Sequence, residues 1–300
     1  MLDNFDVYKT IKFSKLKERT RKGIPEAMRG LAWINIADIK NFKKGKENLY
    51  KTLLSNINKN DFIDKKEEDV IIRDLHRTFP KSLIFSPKLG EGQRNLFRIL
   101  MCFGASNKST GYVQGMGFLA ALFLLYMDEE NAFWMLHILF KKYGLEEVYL
   151  KDFPGLRKRL YILVQLIKKY MAKVYEQLIE YKTYPTMYAS QWFFTCFSNC
   201  LPFNFVVRIF DCYLLEGEKI IFRIALALFK LKEKALTKAK SFETLMENIK
   251  NISKDLKNPD FLLDSAFRIS LSKDLIRNLA YEYENKKAKN NDELIELLGY

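Results

Sequence analysis

The 300-residue chain is 48% hydrophobic, with 24 Phe and 16 Tyr, enough to bury a substantial core and too apolar for a disordered protein. Its 7 Pro and 13 Gly are sparse punctuation, which disfavours a many-turned β fold and favours long helices. Lys and Arg outnumber Asp and Glu by 50 to 36, and the net charge of +14 would attract nucleic acid, an anionic membrane or an acidic protein face. The basic residues fall in short groups such as Lys43-Lys44, Arg157-Lys158-Arg159 and Lys286-Lys287, as on solvated helix faces. No nucleic-acid-binding signature accompanies them, so no nucleic acid is expected as a partner.

In chain order, a polar, basic segment runs to about Lys22. Gly23-Ile24-Pro25 then turns into a helix whose apolar face includes Leu31, Trp33 and Ile34. Residues 43–68 are charged and weakly patterned. Ile71, Ile72, Leu75 and Phe79 recur at helical spacing, and Pro80 closes that helix. A loop with Pro87, Gly90 and Gly92 leads into an amphipathic helix through Leu96, Leu100 and Phe103. After the polar turn Asn107–Gly111, a very apolar helix is predicted from about Gln114 to Tyr126. A shorter helix follows over Asn131–Phe140. Phe153-Pro154-Gly155 precedes a long helical pattern from Leu156 to Val174, and Tyr184-Pro185 interrupts the chain. Leu201-Pro202 restarts a helix that closes at Gly217. Ile220–Leu231 is again helical, and the last 60 or so residues read as shorter, more charged helices. Period-two alternation is nowhere sustained, so the expectation is a dozen or more helices in two lobes.

Self-contained catalysis finds little support. Cys102, Cys196, Cys200 and Cys212, with His76 and His137, are too few and too badly spaced for a zinc site, so no metal is expected. Cys196 and Cys200 could share a helix face but read as small buried hydrophobes. There is no GxxxxGK[ST] loop and no complete GxGxxG after a strand. Glu67-Glu68-Asp69 and Asp128-Glu129-Glu130 look like charges at helix amino termini. The longest apolar stretch, Met116–Met127, is 12 residues and too short to span a bilayer; the amino terminus lacks a signal-peptide pattern, and a cytoplasmic location is expected.

Two segments stand out. In Ile71-Ile72-Arg73-Asp74-Leu75-His76-Arg77-Thr78-Phe79-Pro80, Asp74 and Arg77 share a helix face, and the arginine stands near a helix end. An ordinary surface salt bridge would have the same spacing. In Gly111-Tyr112-Val113-Gln114-Gly115-Met116, a glutamine sits between glycines where a loop enters an apolar helix. A glutamine that braces the loop or caps the helix would look the same.

Together with their neighbours, these segments resemble the TBC domain family of Rab GTPase-activating proteins. Gly23-Ile24-Pro25…Arg29-Gly30…Trp33 is similar to the family's opening motif. Ile71…Asp74…Arg77 is similar to its IxxDxxR motif, Tyr112…Gln114 to its YxQ motif, and Leu201-Pro202…Arg208-Ile209-Phe210-Asp211…Gly217 to its carboxy-terminal signature. The resemblance covers about residues 20–280. Met28, Val113 and Phe210 depart from the usual leucine, cysteine and tryptophan without removing a polar group that the chemistry needs.

The resemblance implies an all-α, two-lobed TBC (Rab-GAP) helical fold. It divides the chain into a basic lead-in (1–20), a TBC domain (21–285, with lobes of about 21–152 and 153–285) and a charged tail (286–300). It further implies that the protein is not an enzyme by itself. It would lend Arg77 and Gln114 in trans to a GTP-bound Rab-family GTPase, with Asp74 orienting Arg77 and with Tyr112 and Gly115 shaping the glutamine loop or meeting the partner. No cofactor is implied, since GTP and Mg²⁺ belong to the GTPase. The role would lie in vesicle trafficking, with peripheral contact at acidic endomembranes allowed. Arg29, Trp33, Arg208 and Asp211 would be structural, with Arg208 and Asp211 paired. The alternatives are a catalytically silent scaffold that binds a GTPase and a helical protein recruited by its basic surface.

Overall fold

A computed structural model describes residues 5–59, 62–88, 90–289 and 292–299. The all-α expectation holds: these residues form helices, with no strand among them. The chain separates into two compact units, residues 1–152 and 153–300.

The first unit contains α1 (Phe5–Thr10), α2 (Phe13–Lys22), α3 (Glu26–Ala37), α4 (Ile39–Phe42), α5 (Leu49–Asn56), α6 (Lys65–Arg77), α7 (Glu91–Ser106), α8 (Met116–Leu124), α9 (Glu129–Lys141) and α10 (Glu146–Tyr149). Helices α7, α8 and α9 pack on one another at its centre. Helix α8 is apolar all round, and each residue from Met116 to Phe123 is buried, as expected of a helix enclosed by others. Trp33 of α3 is fully buried against Phe123 and Tyr126, so it fills the core as expected. The segment read as a basic lead-in is folded: α1 and α2 pack together, burying Leu16 and Thr20. Its first residues, 1–4, lie outside the described residues.

The second unit contains α11 (Pro154–Tyr170), α12 (Ala172–Glu180), α13 (Pro185–Tyr188), α14 (Ser190–Phe194), α15 (Phe203–Glu216), α16 (Lys219–Leu236), α17 (Phe242–Lys250), α18 (Pro259–Arg268), α19 (Lys273–Ala288) and α20 (Asp292–Leu298). Helix α11 packs against α12, α14, α16, α19 and α20, and α16 against α15, α17 and α18. The single helical pattern expected over Leu156–Val174 is split at Met171, whose backbone leaves the helical region at φ −147°. Met171 is nevertheless buried, so the apolar rhythm continues across a break that it cannot register. Cys196 and Cys200 share no helix; they lie in a turn, with Cys196 buried at φ 47°.

The residues read as a charged tail are also built in. Leu294 and Leu298 of α20 are buried, and the Thr186 hydroxyl donates to the Leu298 carbonyl at 3.0 Å. Residues 290, 291 and 300 of that segment lie outside the described residues.

Candidate functional site

The site is built on α6. Asp64 caps its amino terminus, accepting the Lys66 N–H at 2.7 Å. The apolar positions Ile71 and Leu75 face inward. The helix stops at Arg77, two residues earlier than the Phe79 periodicity suggests. Pro80 disfavours the helical region for Phe79, and Thr78 is already extended. The Thr78 hydroxyl donates to the Asp74 carbonyl at 2.7 Å, satisfying a backbone acceptor at the helix end. Phe79 takes φ 44° and stacks edge-to-face on Phe118 of α8 at 5.6 Å between centroids. The turn therefore leaves Arg77 on the last residue of α6, with 46% of its side chain exposed.

The Asp74 side chain is only 2% exposed and is surrounded by donors. Its Oδ1 accepts from Nη2 of Arg77. Its Oδ2 accepts the Tyr112 hydroxyl at 2.6 Å and the Gly115 N–H at 3.1 Å. A buried carboxylate needs such compensation, and these three donors supply it. Burial raises the Tyr112 phenol well above its ordinary pKa, and the neighbouring Asp74 charge adds to the rise. The phenol therefore stays protonated and donates.

The glutamine lies between these anchors. Helix α8 begins at Met116, so Gln114 stands in the turn before it and is exposed, rather than opening the helix itself. Gly115 holds φ 102°, a backbone region that residues with a Cβ rarely adopt, and this conformation lets its N–H reach Asp74. Asp74, Arg77, Tyr112 and Gly115 are thus brought together, and Gln114 projects from the loop that they fix. One carboxylate holds the arginine through one oxygen and the glutamine loop through the other.

Two residues of this arrangement do not stand out in the sequence. Thr78 sits inside the motif, yet its hydroxyl carries no sequence signal. Glu67 reads as a first-turn charge, but its carboxylate turns inward and accepts the Tyr112 backbone N–H. The other acidic cluster also does more than favour the helix dipole. Asp128 caps α9 at the Asn131 N–H, 3.0 Å away, and Glu129 takes Arg98 at 2.8 and 2.5 Å.

The residues read as structural are buried. Arg29 is 4% exposed, donates to the Ile24 carbonyl at 2.8 Å and pairs with Glu26. In the second unit Arg208 binds Asp260 at 2.7 Å and stands 3.7 Å from Asp211, so the expected i,i+3 pair is its looser contact. Among the described residues no group of three or more His, Cys, Asp and Glu side chains is arranged for a metal. Among the same described residues no helix is long and apolar enough to cross a membrane.

The described residues thus form a helical protein in which the Asp74 carboxylate ties the segment that carries Arg77 to the segment that carries Gln114. A profile of the Rab-GTPase-TBC domain matches residues 26–237. The chain belongs to that family. It is similar to TBC1 domain family member 4 of Mus musculus, with 33% identity over 285 residues covering 92% of this chain but 21% of the mouse protein. Similarity to growth hormone-regulated TBC protein 1 of Xenopus tropicalis is 33% identity over 242 residues, 80% of this chain and 69% of the frog protein. The chain thus spans about a fifth of the length of the first of these relatives. In structure it is similar to the Chlamydomonas flagellar RabGAP TBC domain, with a TM-score of 0.74, 28% identity and 86% of each chain covered.

Proposed function

We propose that this protein accelerates GTP hydrolysis on a GTP-bound Rab-family GTPase by inserting Arg77 and Gln114 into the partner's nucleotide site. The observation that carries the reading is the Asp74 carboxylate, which anchors Arg77 on one oxygen and the glutamine loop on the other. An arginine that neutralises developing phosphate charge must be exposed, oriented and always protonated. A guanidinium is planar and presents several donors, so holding it at Nη2 leaves the rest of the fork for phosphate oxygens. Its contribution in trans would be roughly 10³–10⁵ in rate. The Gln114 amide can accept from the attacking water and donate to a neighbouring oxygen, so it suits orientation of the nucleophile. GTP and Mg²⁺ would be bound by the GTPase, and the protein would work on the cytoplasmic side of trafficking membranes.

The test is single-turnover hydrolysis by a panel of GTP-loaded Rab GTPases with wild type, Arg77→Ala and Gln114→Ala. Acceleration of at least one GTPase, lost on either substitution, supports the reading. Binding without acceleration of any member would replace it with a silent scaffold.

A further inference from the structure

The carboxylate of Glu67 lies where the glutamine loop begins, two helical turns before Asp74 on α6. Seven residues bring a helix back to nearly the same face, so Glu67 and Asp74 point the same way, about 10 Å apart along the axis. Asp74 takes the Tyr112 hydroxyl and the Gly115 N–H, while Glu67 takes the Tyr112 N–H. The segment 112–115 is therefore held at both ends by acceptors on one helix, and Gln114 lies inside the held segment.

The surroundings are shaped to admit the carboxylate. A Cβ on Gly104 of α7 would collide with it, and a Cβ on Gly111 would come within 3.1 Å of both its oxygens. Gly111 also has φ 60°, a backbone region that favours glycine at the turn into Tyr112. Burial raises the Glu67 carboxyl above its ordinary pKa, the Tyr112 N–H opposes that rise and the Asp64 charge adds to it.

We propose that Glu67 is a positioning residue for Gln114, clamping the start of the 112–115 loop to α6 and so fixing where the amide stands relative to Arg77. The inference rests on the two-finger reading above. Its geometric half can be tested without it.

Amide hydrogen exchange on the full chain, followed by NMR, reads the clamp directly. Glu67→Asp shortens the reach by one methylene, and Glu67→Gln keeps the acceptor. Faster exchange at Tyr112 and Gly115 in Glu67→Asp, with near wild-type exchange in Glu67→Gln, is the expected result. Unchanged exchange in Glu67→Asp overturns the clamp.

Single-turnover hydrolysis then reads the consequence. Glu67→Asp should lower the rate at saturating activator by roughly tenfold, as expected for a displaced catalytic group, with little change in the concentration giving half-maximal rate. Glu67→Gln, which keeps the acceptor and the reach, should hold the saturating rate within about twofold of wild type. A wild-type rate in Glu67→Asp, or a loss in Glu67→Gln as large as that in Glu67→Asp, would overturn the proposal. A wild type that accelerates no GTPase sinks the two-finger reading instead, with the exchange result still deciding the clamp.

Discussion

At the residue scale, Asp74 is where one side chain decides most. Asn in its place keeps an acceptor but removes the charge that holds the guanidinium, whereas Ala leaves a phenol and a backbone N–H without their acceptor in a buried site. Asp74→Ala should therefore destabilise the protein by about 2–5 kcal/mol, roughly 1–3 kcal/mol for each stranded donor, read from urea midpoints at constant m-value. Tyr112→Phe removes a single donor and should cost about 1–2 kcal/mol. At Gly115, with φ 102°, alanine is strained whatever the space around it. Gly115→Ala should cost about 1–3 kcal/mol in the same assay and lower the activator rate, because the strain is relieved by moving the loop that carries Gln114.

At the element scale, α9 carries a titration with a definite sign. His137 is enclosed by Phe103, Phe133 and Trp134, and its Nε2 lies 3.0 Å from the Ser106 hydroxyl. Burial lowers its pKa to about 3, and the Lys141 and Lys46 charges push the same way. The unfolded histidine, near 6.5, takes up a proton that the folded one refuses, so its contribution to stability is lost as pH falls below the unfolded value. The loss should approach about 1.4 kcal/mol per pH unit between roughly pH 6 and 4. His137→Gln should flatten the dependence of the urea midpoint on pH over that window; an unchanged slope would assign the acid sensitivity elsewhere. The α6–α7 loop is the other element with a consequence. It leaves Leu83 90% exposed, six residues after Arg77. Leu83→Asp should raise the activator concentration for half-maximal hydrolysis several-fold and leave the saturating rate within about twofold of wild type.

At the scale of the whole molecule, the +14 net charge is a field acting on encounter. With an acidic GTPase, the apparent second-order rate should fall several-fold between about 50 and 300 mM salt, where the Debye length drops from roughly 14 to 6 Å, while the saturating single-turnover rate holds. A saturating rate that falls in parallel would place the salt-sensitive contacts at the reacting phosphates instead.

Each layer of the protein was legible to a different depth. Helices α7 and α11 follow from apolar residues at helical spacing, because burying one face of a helix leaves a periodic trace in the chain, whereas α8 is apolar all round and shows only as an unbroken apolar run. Their ends are less visible. The pattern through Met171 stays apolar across the α11–α12 break, and Phe79 keeps the rhythm of α6 after the helix has stopped. The Arg77–Asp74 pair follows from i,i+3 spacing, since local geometry alone brings the two together. The rest of the site does not. Asp74 meets Tyr112 and Gly115 from 38 and 41 residues away, and Glu67 meets Tyr112 from 45.

By itself the sequence determined a helical protein and, through its resemblance to the TBC domain family, singled out Arg77, Gln114 and Asp74 as candidates. Only the tertiary structure decided that one carboxylate serves both segments and that Glu67 faces inward. Only it decided that Gln114 stands before α8 rather than within it, and that Arg208 prefers Asp260 to Asp211. The reason is range. Helix periodicity and i,i+3 pairs are set by neighbours a few residues away, which a sequence lists in order. The partner of a buried polar group is whichever donor the folded core carries to it, and that depends on how α6, α7 and α8 pack.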